Sequence, residues 1–139
     1  MRRACIDTNV IVRFLTGEPP DMAGQARQLF AAADQDQVVL LLDDIVLAET
    51  VWVLTSFYEL PAAEVARVLL QLLSHEAIQA DDKSLLAEAL QLFSDHNVDF
   101  ADALLAARMR RRGITEVFSF DRHFDRLPGI TRLEPGAAD

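Results

Sequence analysis

Apolar residues fall along this chain in short continuous runs that alternate with stretches of helical spacing. The runs at 3–6, 38–42 and 116–120 are too short for helices and are bounded by polar or turn residues, which predicts strands. Residues 3–6 and 38–42 are apolar enough to expect burial, the second run on both faces. Weaker strand signals lie at 76–80 and 130–133, the latter as an edge strand. Asp7-Thr8-Asn9 closes the first strand with good helix-capping residues, and 10–15 follow as a first helical stretch. Pro19-Pro20-Asp21 opens a helix with Met22, Ala26, Leu29, Phe30 and Ala33 on one face. Asp43-Asp44 caps a helix reaching to about Tyr58. Pro61 opens the clearest amphipathic segment, with Val65, Val68, Leu69, Leu72 and Leu73 in an i, i+3, i+4, i+7, i+8 stripe. Asp81-Asp82 introduces a helix whose apolar side is Leu85, Leu86, Ala89, Leu90 and Phe93. Asp99 begins the last one, which stops at Gly113.

Strands separated by helices imply parallel βαβ units. The expected fold class is α/β, a three-layer sandwich around a central parallel sheet of four or five strands. With no repeat, low-complexity tract or Gly/Ser linker, residues 1–134 read as one domain and 135–139 as a short tail. Sites in such sheets form beyond the carboxyl ends of the strands. That rule selects Asp7 and Asp121, each of which follows an expected strand by at most one residue.

Composition narrows the class. With half of its 139 residues hydrophobic, the chain is expected to fold around a core. No apolar run approaches the roughly 20 residues of a spanning helix, and Asp7 interrupts the start before a signal-peptide core forms. A soluble cytoplasmic protein with no membrane contact is expected. The single cysteine, Cys5, excludes an intrachain disulfide and a multi-cysteine zinc site; it is expected as a small buried hydrophobe. A net charge of -9 argues against simple electrostatic adhesion to nucleic acid. The charge is uneven, however. Residues 1–107 carry 6 basic and 17 acidic side chains, whereas 108–139 carry 7 arginines against 5 acids. Arg108, Arg110, Arg111 and Arg112 are the densest cluster, open between a solvated helix end and a local phosphate contact.

Two further carboxylates stand out. Glu49 has Ile45, Val46, Trp52 and Val53 as its helical neighbours at i−4, i−3, i+3 and i+4, so it is expected on a face that packs. A buried, unpaired carboxylate costs several kcal/mol and requires a cation, a proton or a cleft. An arginine partner or an edge position would also accommodate it. Asp102 lies in the first turn after Asp99, where the two also suit a variant capping box. Asp7 suits a helix cap, and Asp121 a turn before Arg122 and His123. Singly, each acid has an adequate structural role. Gathered together, they would repel one another until a hard dication, Mg²⁺ or Mn²⁺, relieved the conflict. Carboxylate-held dications activate water for phosphodiester cleavage.

Four segments carry a resemblance. Cys5-Ile6-Asp7-Thr8-Asn9 resembles the opening motif of PIN-domain nucleases, and Leu47-Ala48-Glu49-Thr50-Val51-Trp52-Val53-Leu54 the segment bearing their second acid. Asp99-Phe100-Ala101-Asp102-Ala103-Leu104-Leu105-Ala106-Ala107 is similar to the third, and Phe118-Ser119-Phe120-Asp121-Arg122-His123-Phe124 to the fourth. Their order and spacing hold from residue 3 to about 133, and the compact form is most similar to VapC-type toxins. The resemblance implies a Mg²⁺- or Mn²⁺-dependent endoribonuclease, with Asp7, Glu49, Asp102 and Asp121 as catalytic and metal-holding residues. It implies an RNA substrate, inhibition by a cognate antitoxin and a homodimer. Thr8 or Asn9, and Ser119, fall near positions that orient the site, and Asp99 is left between cap and outer ligand. Of the three histidines only His123, close to Asp121, is a candidate for a role.

Other classes fit less well. A catalytically inactive PIN-like binding module would keep the same acids. A phospho-acceptor receiver domain needs paired acids after its first strand and a late lysine, whereas this chain offers Asp7 alone and Lys83 at a helix start. A P-loop protein needs a Gly-rich phosphate loop that is absent. The apolar faces at 52–57 and 65–73 exceed one core and are expected either inside it or at a dimer or antitoxin surface.

Overall fold

In a computed structural model, residues 1–137 are described, and they divide into two compact units, Met1–Lys83 and the stretch from Ser84 onward. The first unit contains β1 (Arg2–Cys5), α1 (Thr8–Thr16), α2 (Pro20–Asp34), β2 (Val38–Leu41), α3 (Asp44–Ser56), α4 (Ala62–Leu73) and β3 (Ile78–Gln79). Its three strands pair in the order β1-β2-β3, all parallel, with Cys5, Leu41 and Gln79 in register. The βαβ logic of the sequence is therefore realised: α1 and α2 connect β1 to β2, and α3 and α4 connect β2 to β3.

Caps set the helix starts. The Asp7 carboxylate accepts the Thr8 N–H at 2.8 Å, and Asp43 accepts the Ile45 N–H at 2.9 Å. Gly17, at φ 75°, ends α1 in the left-handed conformation that glycine tolerates. The core alternates along β2, where Val38 and Leu40 are buried and Val39 and Leu41 are half-buried. Against it α2 packs on β2 and α4 on β3, and Val65, Ala66, Leu69, Leu72 and Leu73 turn inward. The apolar face at 65–73 is thus core rather than a docking surface.

Three details of the first unit differ from expectation. The strand β1 is mostly exposed and Cys5 with it; it shares a hollow of about 330 Å³ with Arg3, Gln79 and Asp81, while Ile6 is the residue that turns inward. In α2 the buried stripe is Ala23, Ala26, Phe30 and Ala33, so Met22 stands outside. Small alanines let α2 approach closely, and the stacked rings of Phe14 and Phe30 fix α1 against it. The third difference concerns α3 and bears on the site below.

The second unit contains most of α5 (Lys83–His96), then α6 (Phe100–Arg111), β4 (Glu116–Phe118) and β5 (Thr131–Leu133), with a single-turn helix at Arg122–Arg126. The strands β4 and β5 pair in parallel, so all five expected strands are present, hydrogen-bonded as a group of three and a group of two. Leu85, Leu86, Ala89, Leu90 and Phe93 are all buried, as the helical pattern predicts. The rings of Phe93 and Phe100 meet edge to face. Gly113, at φ 69°, follows α6 as a stop residue.

The arginine cluster is resolved in part. Arg111 bonds Glu88 at 2.8 Å, and Arg110 donates to the Pro128 carbonyl at 2.5 Å. These two side chains tie the end of α6 to α5 and to the loop before β5. Residues 135–137 of the expected tail form a short 3-10 turn; residues 138 and 139 lie outside the described residues. Among the described residues, no helix is long and apolar enough to cross a membrane.

Candidate active site

The second unit brings two of the sequence-selected acids together. Asp102 sits in the first turn of α6, between Phe100 and the buried Ala103, and is itself half-buried. Asp121 lies three residues beyond the end of β4 and caps the single-turn helix, its Oδ1 accepting the His123 N–H at 2.8 Å. Burial pushes the Asp102 carboxyl above the ordinary carboxylate range, and the negative charges of Asp121 and then Asp99 push it further. Opposing them, His123 lowers it, and a hydrogen bond with Asp121 again favours the protonated form of Asp102. A carboxyl group whose charge is disfavoured by burial and by two neighbouring acids presents the conflict that a hard cation resolves.

Asp99 occupies the N-cap position of α6 without a side-chain cap hydrogen bond. The capping-box alternative for Asp99 and Asp102 is therefore not realised. An acid in the first turn still favours the helix dipole, but the charges of Asp121 and Asp99 near Asp102 work against stability. Among the described residues, no group of three or more His, Cys, Asp or Glu side chains forms a finished ligand cage. What the second unit holds is a pair, Asp102 with Asp121, and a third acid within electrostatic reach. The donors are all carboxylate oxygens, a set that fits Mg²⁺ or Mn²⁺ and not zinc.

The turn that carries Asp121 is built with care. The Asp121 N–H donates to Ser119 Oγ at 2.9 Å, and the Ser119 N–H extends the strand ladder to the Leu133 carbonyl at 3.1 Å. Arg132 completes it by donating to the Ser119 carbonyl at 3.1 Å, while also pairing with Asp125 and Glu134. Ser119 thus holds the backbone of the Asp121 turn. Arg132 escaped sequence reasoning altogether. Its one signal was a charged residue in the middle of the expected strand 130–133, next to Leu133. His123 Nδ1 lies 3.4 Å from Asp121, on the same turn.

In the first unit, Asp7 is exposed at the carboxyl end of β1, where it caps α1. Thr8 beside it is buried, and its hydroxyl has no hydrogen-bond partner. Glu49 lies in α3, which packs against α1 and α4. Its expected place on a packing face is corrected: the buried stripe of α3 is Leu47, Thr50, Val51 and Leu54, and Glu49 is exposed. Its apolar neighbours Ile45 and Trp52 are exposed with it, at 73% and 65%. The exposed apolar face at 52–57 includes Phe57, 74% exposed.

The profile of the PIN domain fits residues 4–130. A VapC ribonuclease of Aquifex aeolicus (strain VF5) is 30% identical over 130 residues, which are 94% of this chain and 95% of the relative. The match runs through β1, α3, α6 and the Asp121 turn alike, so all four acid-bearing segments lie within it. An α/β chain with parallel strands, matched over nearly its whole length by that profile, belongs to the PIN domain family.

Proposed function

We propose that the chain is a divalent-cation-dependent endoribonuclease of the VapC toxin type, acting in the cytoplasm and neutralised by a cognate antitoxin. Residues 1–134 serve as one nuclease domain, with Asp7, Glu49, Asp102 and Asp121 as the catalytic and cation-holding residues. The observation that carries this reading is the crowding of Asp102 by Asp121 and Asp99. The likeness to a protein named as a ribonuclease supplies the reaction class.

Mg²⁺ or Mn²⁺ held by these oxygens would lower the pKa of water and offset charge developing on the scissile phosphate. The protein's own part is placement. Asp102 and Asp121 hold oxygens at one charge-dense point, and Ser119 and Arg132 keep the Asp121 turn from relaxing away from it. Asp99 adds negative charge one helical turn before Asp102. Glu49 is an exposed carboxylate, free to take a proton from an attacking water or to hold the cation through one. Asp7 is fixed by its place at the end of β1. No side-chain nucleophile enters.

Asp7→Asn tests the assignment at the acid farthest in sequence from the crowded pair. RNA cleavage by that variant is expected to vanish, with an unchanged circular dichroism spectrum, since asparagine also caps helices. Chelation with EDTA is expected to abolish wild-type cleavage. Cleavage persisting in either case defeats the proposal.

The exposed Ile45, Trp52 and Phe57 supply an apolar surface suited to a homodimer. Light scattering on a sizing column is expected to give twice the chain mass of 15.5 kDa; a monomer at micromolar concentration removes the dimer from the reading.

A further inference from the structure

One aromatic side chain next to the crowded acids is left in solvent. Phe120 is 81% exposed and directly precedes Asp121, and Phe118, at the end of β4, is 54% exposed. Phe124, on the same turn, is buried. The turn therefore has one ring that anchors it and one that its own packing does not use. Leaving a phenylalanine ring in water forfeits the stabilisation that burial would bring.

The backbone on both sides of Phe120 is fixed. Ser119 continues the strand ladder to the Leu133 carbonyl, and its own carbonyl accepts from Arg132, each at 3.1 Å. Asp121 donates its N–H to Ser119 Oγ at 2.9 Å, and its carboxylate accepts the His123 N–H at 2.8 Å. A ring mounted on such a segment has only its side-chain torsions left to order, which lowers the entropy cost of taking a ligand. Its sequence surroundings are cationic as well. Arg122, exposed, follows Asp121, and residues 108–139 carry 7 arginines against 5 acids.

We infer that Phe120 is the platform on which a nucleobase of the RNA stacks beside the phosphate to be cleaved. Neighbouring Cα atoms are about 3.8 Å apart, so a base one sugar away from a phosphate at Asp121 is within reach of the Phe120 ring. Every base has a π face, so such a contact tolerates any sequence. An apolar protein surface would cover the ring too, but it would also take water from the exposed Asp121 carboxylate. A nucleotide carries both a ring and a phosphate, and Arg122 offers that phosphate a counter-charge. The inference deepens the ribonuclease reading and rests on it for the RNA and for the place of the phosphate; the exposed ring and its fixed backbone stand apart from it.

The test is fluorescence anisotropy of a labelled single-stranded RNA of about eight nucleotides and mixed sequence, titrated with the full chain in EDTA. The same strand with every base removed is the comparison. Neither a cation nor cleavage enters. A protein that cuts RNA in Mn²⁺ yet ignores the bases refutes the platform alone, and one that senses the bases without cutting refutes the nuclease alone. Wild type is expected to bind the base-bearing strand at least about fivefold more tightly than the abasic one. Phe120→Ala and Phe120→Leu are expected to lose that preference, and Phe120→Trp to keep it. Arg122→Gln is expected to weaken both strands by a common factor. The thermal midpoint of Phe120→Ala should stay near that of wild type, because so exposed a ring adds little to the fold. The inference is overturned if wild type binds neither strand, binds both equally, or if Phe120→Ala retains the preference. It is also overturned if Phe120→Ala weakens both strands alike, or changes only the mass on a sizing column, the mark of a contact between copies.

Discussion

Replacing Asp102 by asparagine is expected to abolish RNA cleavage and, at the same time, to make the cation-free protein more resistant to heat at neutral pH. The loss of activity should reach at least about 10³-fold, since a lost cation ligand forfeits several kcal/mol of transition-state stabilisation. The gain in stability follows from the direction of the Asp102 shift. Its carboxyl titrates above its ordinary 3.8 in the folded protein, through burial first and then through Asp121 and Asp99. A raised carboxyl pKa means that the folded state binds the proton more tightly than the unfolded chain does. That advantage is complete below the ordinary Asp value and is lost as pH rises through the raised one. Without a cation, wild type should therefore lose stability from acid toward neutral pH. Asp102→Asn, having no charge to confine, should show a flatter profile. Thermal melts in EDTA across that range check the sign, and parallel profiles for the two proteins would contradict it.

Leu90→Ala should act in the opposite way, costing fold and sparing chemistry. Leu90 is completely buried in α5, as are Leu86 and Ala89 on the same helix. Truncating such a leucine removes transferred surface and leaves a cavity, at a cost of about 2–5 kcal/mol. Denaturant unfolding should show a free energy of unfolding lower by about 2–5 kcal/mol. Cleavage per folded molecule should remain close to wild type, because no residue of the Asp102–Asp121 pair is touched. A variant equally inactive when fully folded would mean that α5 contributes to the site itself.

These two substitutions also mark what was legible in the sequence. Leu90 belongs to a helix whose apolar residues recur on one side and whose other side is polar. For such a helix the pattern names the buried residues; α5 follows it, and α4 does so except that Ala66 is buried and Val68 only half-buried. The caps at Asp7 and Asp43 and the stop at Gly113 were readable for a local reason, since short polar side chains and a left-handed glycine act within a few residues.

Glu49 was misplaced because α3 is apolar on nearly every side. In Ile45-Val46-Leu47-Ala48-Glu49-Thr50-Val51-Trp52 no stripe is richer than its opposite, so apolar neighbours cannot identify the face that packs. Only the burial of Leu47, Thr50, Val51 and Leu54 does so. The same ambiguity hid Met22, where the helix buries small alanines in preference to a larger side chain. Arg132 was invisible for a different reason. Its role depends on the carbonyl of Ser119, thirteen residues away in sequence and brought alongside by the pairing of β4 with β5.

The acids themselves were legible as a set of motifs, and Asp102 with Asp121 as neighbours once the second unit is folded. Their joint chemistry is most directly measured by Mn²⁺ binding, followed by calorimetry on wild type and on Asp7→Asn, Glu49→Gln, Asp102→Asn and Asp121→Asn. Wild type is expected to bind Mn²⁺, and each substitution to weaken that binding by at least about tenfold. Unchanged Mn²⁺ affinity in Asp102→Asn and Asp121→Asn, or no Mn²⁺ binding by wild type, would contradict the account.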